Sequence, residues 1–155
     1  MHSKIYQISK GQPLYADDFV EAYDFQPEDY SHFADYIDNV DNESYDELYQ
    51  ALERLLEGVF TREGDELTYI GAEKFMVEWL ELIKTLANEL TTESMKHWYD
   101  FYKFRSVNER THLETETRMY YDGELMSFGD FMRTIFAEAK PNDKFYLGSI
   151  LDFHY

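Results

Sequence analysis

A chain of 155 residues, 44% hydrophobic and 18% aromatic, is long enough for one domain that buries roughly 70% of its unfolded surface, and its aromatic content argues against disorder despite a formal charge of −18. The absence of cysteine excludes disulfides, thiolate metal sites and cysteine nucleophiles. With 14 basic against 32 acidic side chains, the chain repels phosphate backbones and anionic membranes, so neither direct nucleic-acid binding nor membrane binding is expected.

The stretch "KIYQIS" alternates apolar and polar residues and predicts a strand that Gly11 and Pro13 end. No apolar signal-peptide stretch precedes it, and the most apolar region, "FMVEWLELI", is too short and too acidic to span a bilayer, so a cytoplasmic location is expected. Pro27 at a first helical position, followed by Glu28 and Asp29, with Tyr30, Phe33, Ala34, Ile37 and Val40 at helical spacing, predicts a helix over 27–39. Ser44 and Glu47 have the form of a capping box ahead of Leu48, Leu52, Leu55, Leu56 and Val59, which predicts a second helix to about Gly58.

The segment "VFTREGDELTYIG" is compatible with a small hairpin or with a loop. Residues 72–90 carry a stripe of Phe75, Trp79, Leu82, Ile83, Leu86 and Leu90 and predict the clearest helix; "TTESMKHWYDFYKF" restarts the same period, with Thr92 as its cap. The period then becomes two in "HLETETRMYYDGELMS", where Asp122-Gly123 signals a hairpin. Ser127 with Asp130 opens a helix that Pro141 stops, and "KFYLGSILDFHY", apolar on both faces, reads as a covered strand. The order of elements indicates a single α+β domain, a small, mainly antiparallel sheet with about five helices packed against it.

Motif chemistry is sparse. A calcium loop starting at Asp38 fails, since it places Val40 and Glu43 where an oxygen ligand and a glycine are needed. His112, Glu114 and Glu116 share one face of a predicted strand and, with Asp100 and Arg118, suggest a metal-dependent nuclease grouping; a chain of this charge would repel the substrate, and an exposed strand face is the better account. Neither a G-x-S-x-G elbow nor a glycine-rich phosphate loop occurs. No catalytic residue, metal or cofactor is therefore assigned.

The acidic first third is the distinctive feature. No basic residue lies between Lys10 and Arg54, while thirteen acidic ones run from Asp17 to Glu53. A solvated face accounts for such a run; so does a surface that clamps a basic partner, because helices otherwise interleave lysines four residues from acids. On the second reading the partner-binding residues are Asp17, Asp18, Glu21, Asp24, Glu28, Asp29, Asp35, Asp38, Asp41, Asp46 and Glu47, with Tyr36 and Tyr45 offering rings to arginine and lysine. The expected function is then a non-enzymatic acidic protein that blocks a basic nucleic-acid-binding protein, either as a DNA-mimic anti-restriction inhibitor or as a nuclease immunity or antitoxin protein. The competing class is an enzyme or ligand-binding domain with an aromatic pocket near Trp79, Trp98 or the C-terminal strand.

Overall fold

The computed structural model describes residues 2–40, 44–95, 105, 107 and 117–155. Their strands are β1 (His2–Lys10), β2 (Tyr36–Asn39), β3 (Phe60–Glu63), β4 (Glu66–Tyr69), β5 (Arg118–Tyr121), β6 (Glu124–Ser127) and β7 (Lys144–His154). The α-helices are α1 (Pro27–Tyr30), α2 (Tyr45–Leu55), α3 (Glu73–Asn88) and α4 (Phe128–Glu138). All seven strands join one sheet in the order β3-β4-β7-β1-β5-β6, and β2 also pairs with β7.

β7 organises this sheet. One of its edges is matched by β1 from Lys10 opposite Phe145 to His2 opposite His154. The other is divided, with β4 against residues 144–146 and β2 against residues 151–154. A β-bulge interrupts the β1–β7 ladder, since Tyr6 faces Ile150 but Ile8 faces Leu147, leaving Gly148 and Ser149 of β7 opposite the single residue Gln7.

The bulge reverses the strand's alternation. Phe145 and Leu147 point into the same core as Ile150, whereas Leu151 and Phe153 point to the opposite face. An uninterrupted strand would have placed residues 147, 151 and 153 on one side. The sheet thus carries two cores. The larger lies beneath α2 and α4, with Leu48, Leu52, Phe131, Met132 and Ile135 packed on Tyr6, Ile8, Met119 and Leu147. The smaller, on the reverse face, joins Ile5, Leu151 and Phe153 to Phe25, Ala34 and Ile37.

Several sequence expectations hold in detail. The segment after Gly58, which the sequence leaves open between hairpin and loop, is a hairpin, with Phe60 opposite Tyr69. Asp122 and Gly123 both have positive φ, 52° and 80°, as a two-residue turn of the hairpin-favouring kind requires. Ser127 caps α4, its Oγ accepting the Asp130 N–H at 3.0 Å and donating to the Asp130 carboxylate at 2.7 Å.

Others are corrected. The sheet is mainly antiparallel as expected, β1 and β5 being the one parallel pair among the described residues, but its seven strands make it larger than expected, and four α-helices are delimited among the described residues against about five expected. The helix predicted over 27–39 stops after one turn at Tyr30, and residues 36–39 are a strand. The cause is tertiary. The C-terminal half of β7 needs an edge partner, which Ile37 opposite Phe153 supplies, aided by the Asp35 N–H donating to the His154 carbonyl at 2.7 Å. α2 begins after Ser44 as predicted, but the Ser44 hydroxyl caps nothing and the helix ends at Leu55. The helix restart from Thr92 begins as a short 3₁₀ turn, Thr92–Met95; Trp98, Asp100, His112, Glu114 and Glu116 lie outside the described residues.

Candidate interaction surface

Residues 16–35 cover the reverse face of the sheet with a chain of tight turns. Their apolar residues, among them Val20, Ala22, Phe25, Phe33 and Ala34, face the smaller core, and the acids between them face outwards. Each turn has the same internal wiring. Asp18 accepts the Tyr15 N–H, Asp24 the Glu21 N–H and Asp29 the Gln26 N–H, at 3.0, 2.8 and 2.7 Å. The N–H of each aspartate donates back to the carbonyl of the residue three before, at 2.8, 3.0 and 2.8 Å. These three acids therefore shape the backbone as well as charge the surface.

Two anchors fix the turns to the sheet. Gln7 sits in the bulge, 6% exposed, and its Oε1 accepts the N–H of Val20 at 3.1 Å and the N–H and Oγ–H of Ser149 at 3.1 and 3.0 Å. Its Nε2 donates to the Asp18 carbonyl at 2.8 Å. Gly148 makes this fit possible, for a Cβ there would stand 2.5 Å from Gln7 Oε1 and 2.6 Å from Leu14 Cδ1. The second anchor is aromatic: the Arg118 guanidinium lies 4.4 Å from the centre of the Phe33 ring, and Phe33 packs edge-on to Phe153.

The predicted partner-binding residues can now be placed. Asp17, Asp18, Glu21, Asp24, Glu28, Asp29, Asp35, Tyr36, Asp38, Tyr45, Asp46 and Glu47 are all exposed; Asp41 lies outside the described residues. Among the described residues, Asp35 is the one of these acids within ion-pair distance of a basic side chain, 3.5 Å from His154 Nδ1, a pair only when the imidazole is protonated. Asp38 stands directly across from Asp152, so the ladder brings like charges together there, with Asp152 held by His2 at 2.7 Å and Lys4 at 3.4 Å.

The fold does not put these residues on one plane. Asp17 to Asp29 lie on the reverse face of the sheet, while Asp46 and Glu47 open α2 on the other. The two groups approach around the edge of β7 that neither β4 nor β2 covers, where Phe19, Glu21, Asn39 and Tyr45 line a small cleft of about 220 Å³. The acidic surface thus wraps a sheet edge.

Tyrosines divide as the packing requires. Tyr15 and Tyr23 are each 72% exposed, and Phe19, Tyr36 and Tyr45 are exposed as well. The charges of Glu21 and Asp24 beside Tyr23 raise its pKa above the ordinary phenol value. Tyr49 is half-buried, its hydroxyl donating to the Gly148 carbonyl at 2.8 Å, and burial pushes its pKa up to about 12.

Sequence reasoning missed Gln7 as an anchor, Phe19 as an exposed ring, and Glu124. That last residue joins Asp24 and Asp29 around a cleft of about 410 Å³ floored by Phe25 and Tyr120. No local signal marked any of the three, since Gln7 shares its side of β1 with Ser3 and Ser9 and reads as an ordinary polar position in the alternation. The aromatic-pocket alternative finds Trp79 buried on α3 beside Phe75 and the rings of Phe145 and Phe153 committed to the cores. Among the described residues no group of three His, Asp or Glu side chains is placed to hold a metal ion, and no helix is long and apolar enough to cross a membrane. No protein-family model, curated protein or solved structure matches this chain.

Proposed function

We propose that this chain is a non-enzymatic binding protein whose acidic surface occupies the basic nucleic-acid site of a partner protein. The observation that carries the reading is the mounting of the charge. Asp17, Asp18, Glu21, Asp24, Glu28, Asp29, Asp38, Asp46 and Glu47 are exposed and outside any ion pair among the described residues, on a backbone fixed by buried hydrogen bonds and core side chains. Held-out like charges repel one another and cost stability, which a partner's lysines and arginines would recover on binding. Exposed rings at Tyr15, Phe19, Tyr23, Tyr36 and Tyr45 stand among them, supplying apolar contact and faces for cations. Inhibition of a restriction or other defence nuclease, and immunity against a nuclease toxin, share this physics.

The test is capture of a partner from lysate on the immobilised protein, followed by identification and competition. The reading expects a basic nucleic-acid-binding protein that loses DNA or RNA binding in the complex and is released as salt rises, since the screening length falls from about 10 Å at 0.1 M to about 3 Å at 1 M. Changing Asp35, Asp38, Asp46 and Glu47 to their amides should weaken capture with folding intact. A partner whose binding ignores both salt and these amides refutes the proposal.

A further inference from the structure

Among the described residues, the outer edge of β6 is an unpaired strand edge set beside acidic side chains. Because Asp122 and Gly123 form a two-residue turn, Tyr121 and Glu124 are the hydrogen-bonded pair that flanks it, and antiparallel alternation makes Tyr120 and Leu125 the next, non-bonded pair. The N–H and C=O of Leu125 consequently point away from β5. No strand among the described residues lies on that side. Beside this edge opens the cleft of about 410 Å³, walled by Asp24, Asp29 and Glu124 over Phe25 and Tyr120, with no basic residue among the described residues that line it.

Resting on the acidic-surface reading above, we propose that this edge receives an extended, arginine-rich segment of the basic partner, which adds along β6 as a further strand and lays alternate arginines into the cleft. The backbone of β6 supplies the ladder, Leu125 donating one hydrogen bond and accepting another. Period two then places every second side chain of the added strand on the face where Asp24 and Asp29 stand. The Tyr120 ring offers a guanidinium a surface to lie on, and the carboxylates neutralise its charge. A second copy of this chain is the poorer occupant, because edge-to-edge pairing would bring two sets of Asp24, Asp29 and Glu124 together. The outermost strand at the other end of the sheet, β3, differs: its Arg62 is already held by Glu53 at 3.0 Å.

The test uses the full chain and a short synthetic peptide of alternating arginine and valine, with two further peptides N-methylated either at every valine or at every arginine. All three carry the same charge. An added strand turns alternate N–H groups towards its neighbour, so one methylated peptide should lose about tenfold or more in affinity, the equivalent of one to two ladder bonds, while the other binds within about twofold of the parent. The parent peptide should slow hydrogen exchange at the Leu125 amide. The D24N/D29N/E124Q variant should bind it more weakly and with a shallower salt dependence; asparagine keeps an acceptor oxygen for the turn N–H groups, so the local backbone survives.

Equal binding by all three peptides would overturn strand addition and leave the acidic-surface reading standing. No binding by the parent at low salt, or Leu125 protected in a self-associated form without peptide, would overturn it too. Strand addition by the peptide alongside a captured partner that keeps its nucleic-acid binding would support the docking edge and refute the proposed role.

Discussion

Replacing Gln7 by methionine isolates the hydrogen bonds that hold the acidic turns to the sheet, because the two side chains are close in length and volume. The loss can be counted group by group. Ser149 is 5% exposed, so its N–H, deprived of Gln7 Oε1, is stranded out of reach of water at about 1–3 kcal/mol. Val20 is half-exposed and Asp18 exposed, so the Val20 N–H and the Asp18 carbonyl are rehydrated and cost about 0.5–1 kcal/mol each. The Ser149 hydroxyl rotates to another acceptor, and three donors sharing one oxygen were each weaker than a single bond. The sum is about 3 kcal/mol. Urea unfolding should show it as a midpoint lowered by about 1–2 M at unchanged slope, and melting as a Tm lowered by about 6–12 °C. Native-state amide exchange should accelerate first at Val20 and its neighbours. A loss under about 1 kcal/mol with exchange at Val20 unaltered would refute the claim that Gln7 anchors the turns.

Further outcomes are expected. Ser127→Ala should cost about 1 kcal/mol or more, while Ser44→Ala, at a cap position whose hydroxyl makes no cap bond, should cost less than about 0.5 kcal/mol; equal losses in urea unfolding would contradict the caps described. Asp38→Lys should raise stability by about 0.2–1 kcal/mol at low salt and by less at high salt, because it replaces a like-charge pair with Asp152 by an attractive one; destabilisation in the same titration would refute the stated register. Alkaline stability should follow Tyr49. Its proton is held more tightly in the folded protein, at a pKa of about 12 against 10.0 unfolded, so its contribution is fully present below pH 10.0 and is lost as pH rises towards 12. Tyr69 and Tyr121, also raised by burial, act in the same direction. Phenolate absorbance should therefore lag behind that of free tyrosine, and Tyr49→Phe should shrink the lag; normal titration of every tyrosine would exclude the buried phenol.

Gly148 illustrates how the proposed partner-binding surface and a core position are linked here. A Gly148→Ala chain must displace Gln7 or Leu14, since the added carbon would stand 2.6 Å or less from both. Either movement loosens residues 14–20 and with them Asp17 and Asp18. Partner affinity should accordingly fall in this variant although no charge is altered, and affinity equal to the parent protein's would show that the position of those acids does not matter.

The sequence alone determined the elements whose signals are local. Asp122-Gly123 specifies a two-residue turn because both positions must take positive φ, and Ser127-x-x-Asp130 starts α4 because a hydroxyl three residues before an N–H can cap it. The helical spacing of Leu48, Leu52 and Leu56 placed α2 on a core, and the run of acids without lysines placed carboxylates on the surface. Tertiary structure decided the rest. Phe33, Ala34 and Ile37 satisfy a helical stripe, yet Ile37 is drawn into a strand because the open edge of β7 offers hydrogen bonds that a local helix cannot outweigh. Which side each β7 residue faces depends on a bulge that no pattern within β7 reveals, since it exists only relative to Gln7, 142 residues from Ser149. The wrapping of the acids around the sheet, and the meeting of Glu124 with Asp24 and Asp29, follow from those long-range pairings, whose energies belong to contacts between segments and not to any one of them.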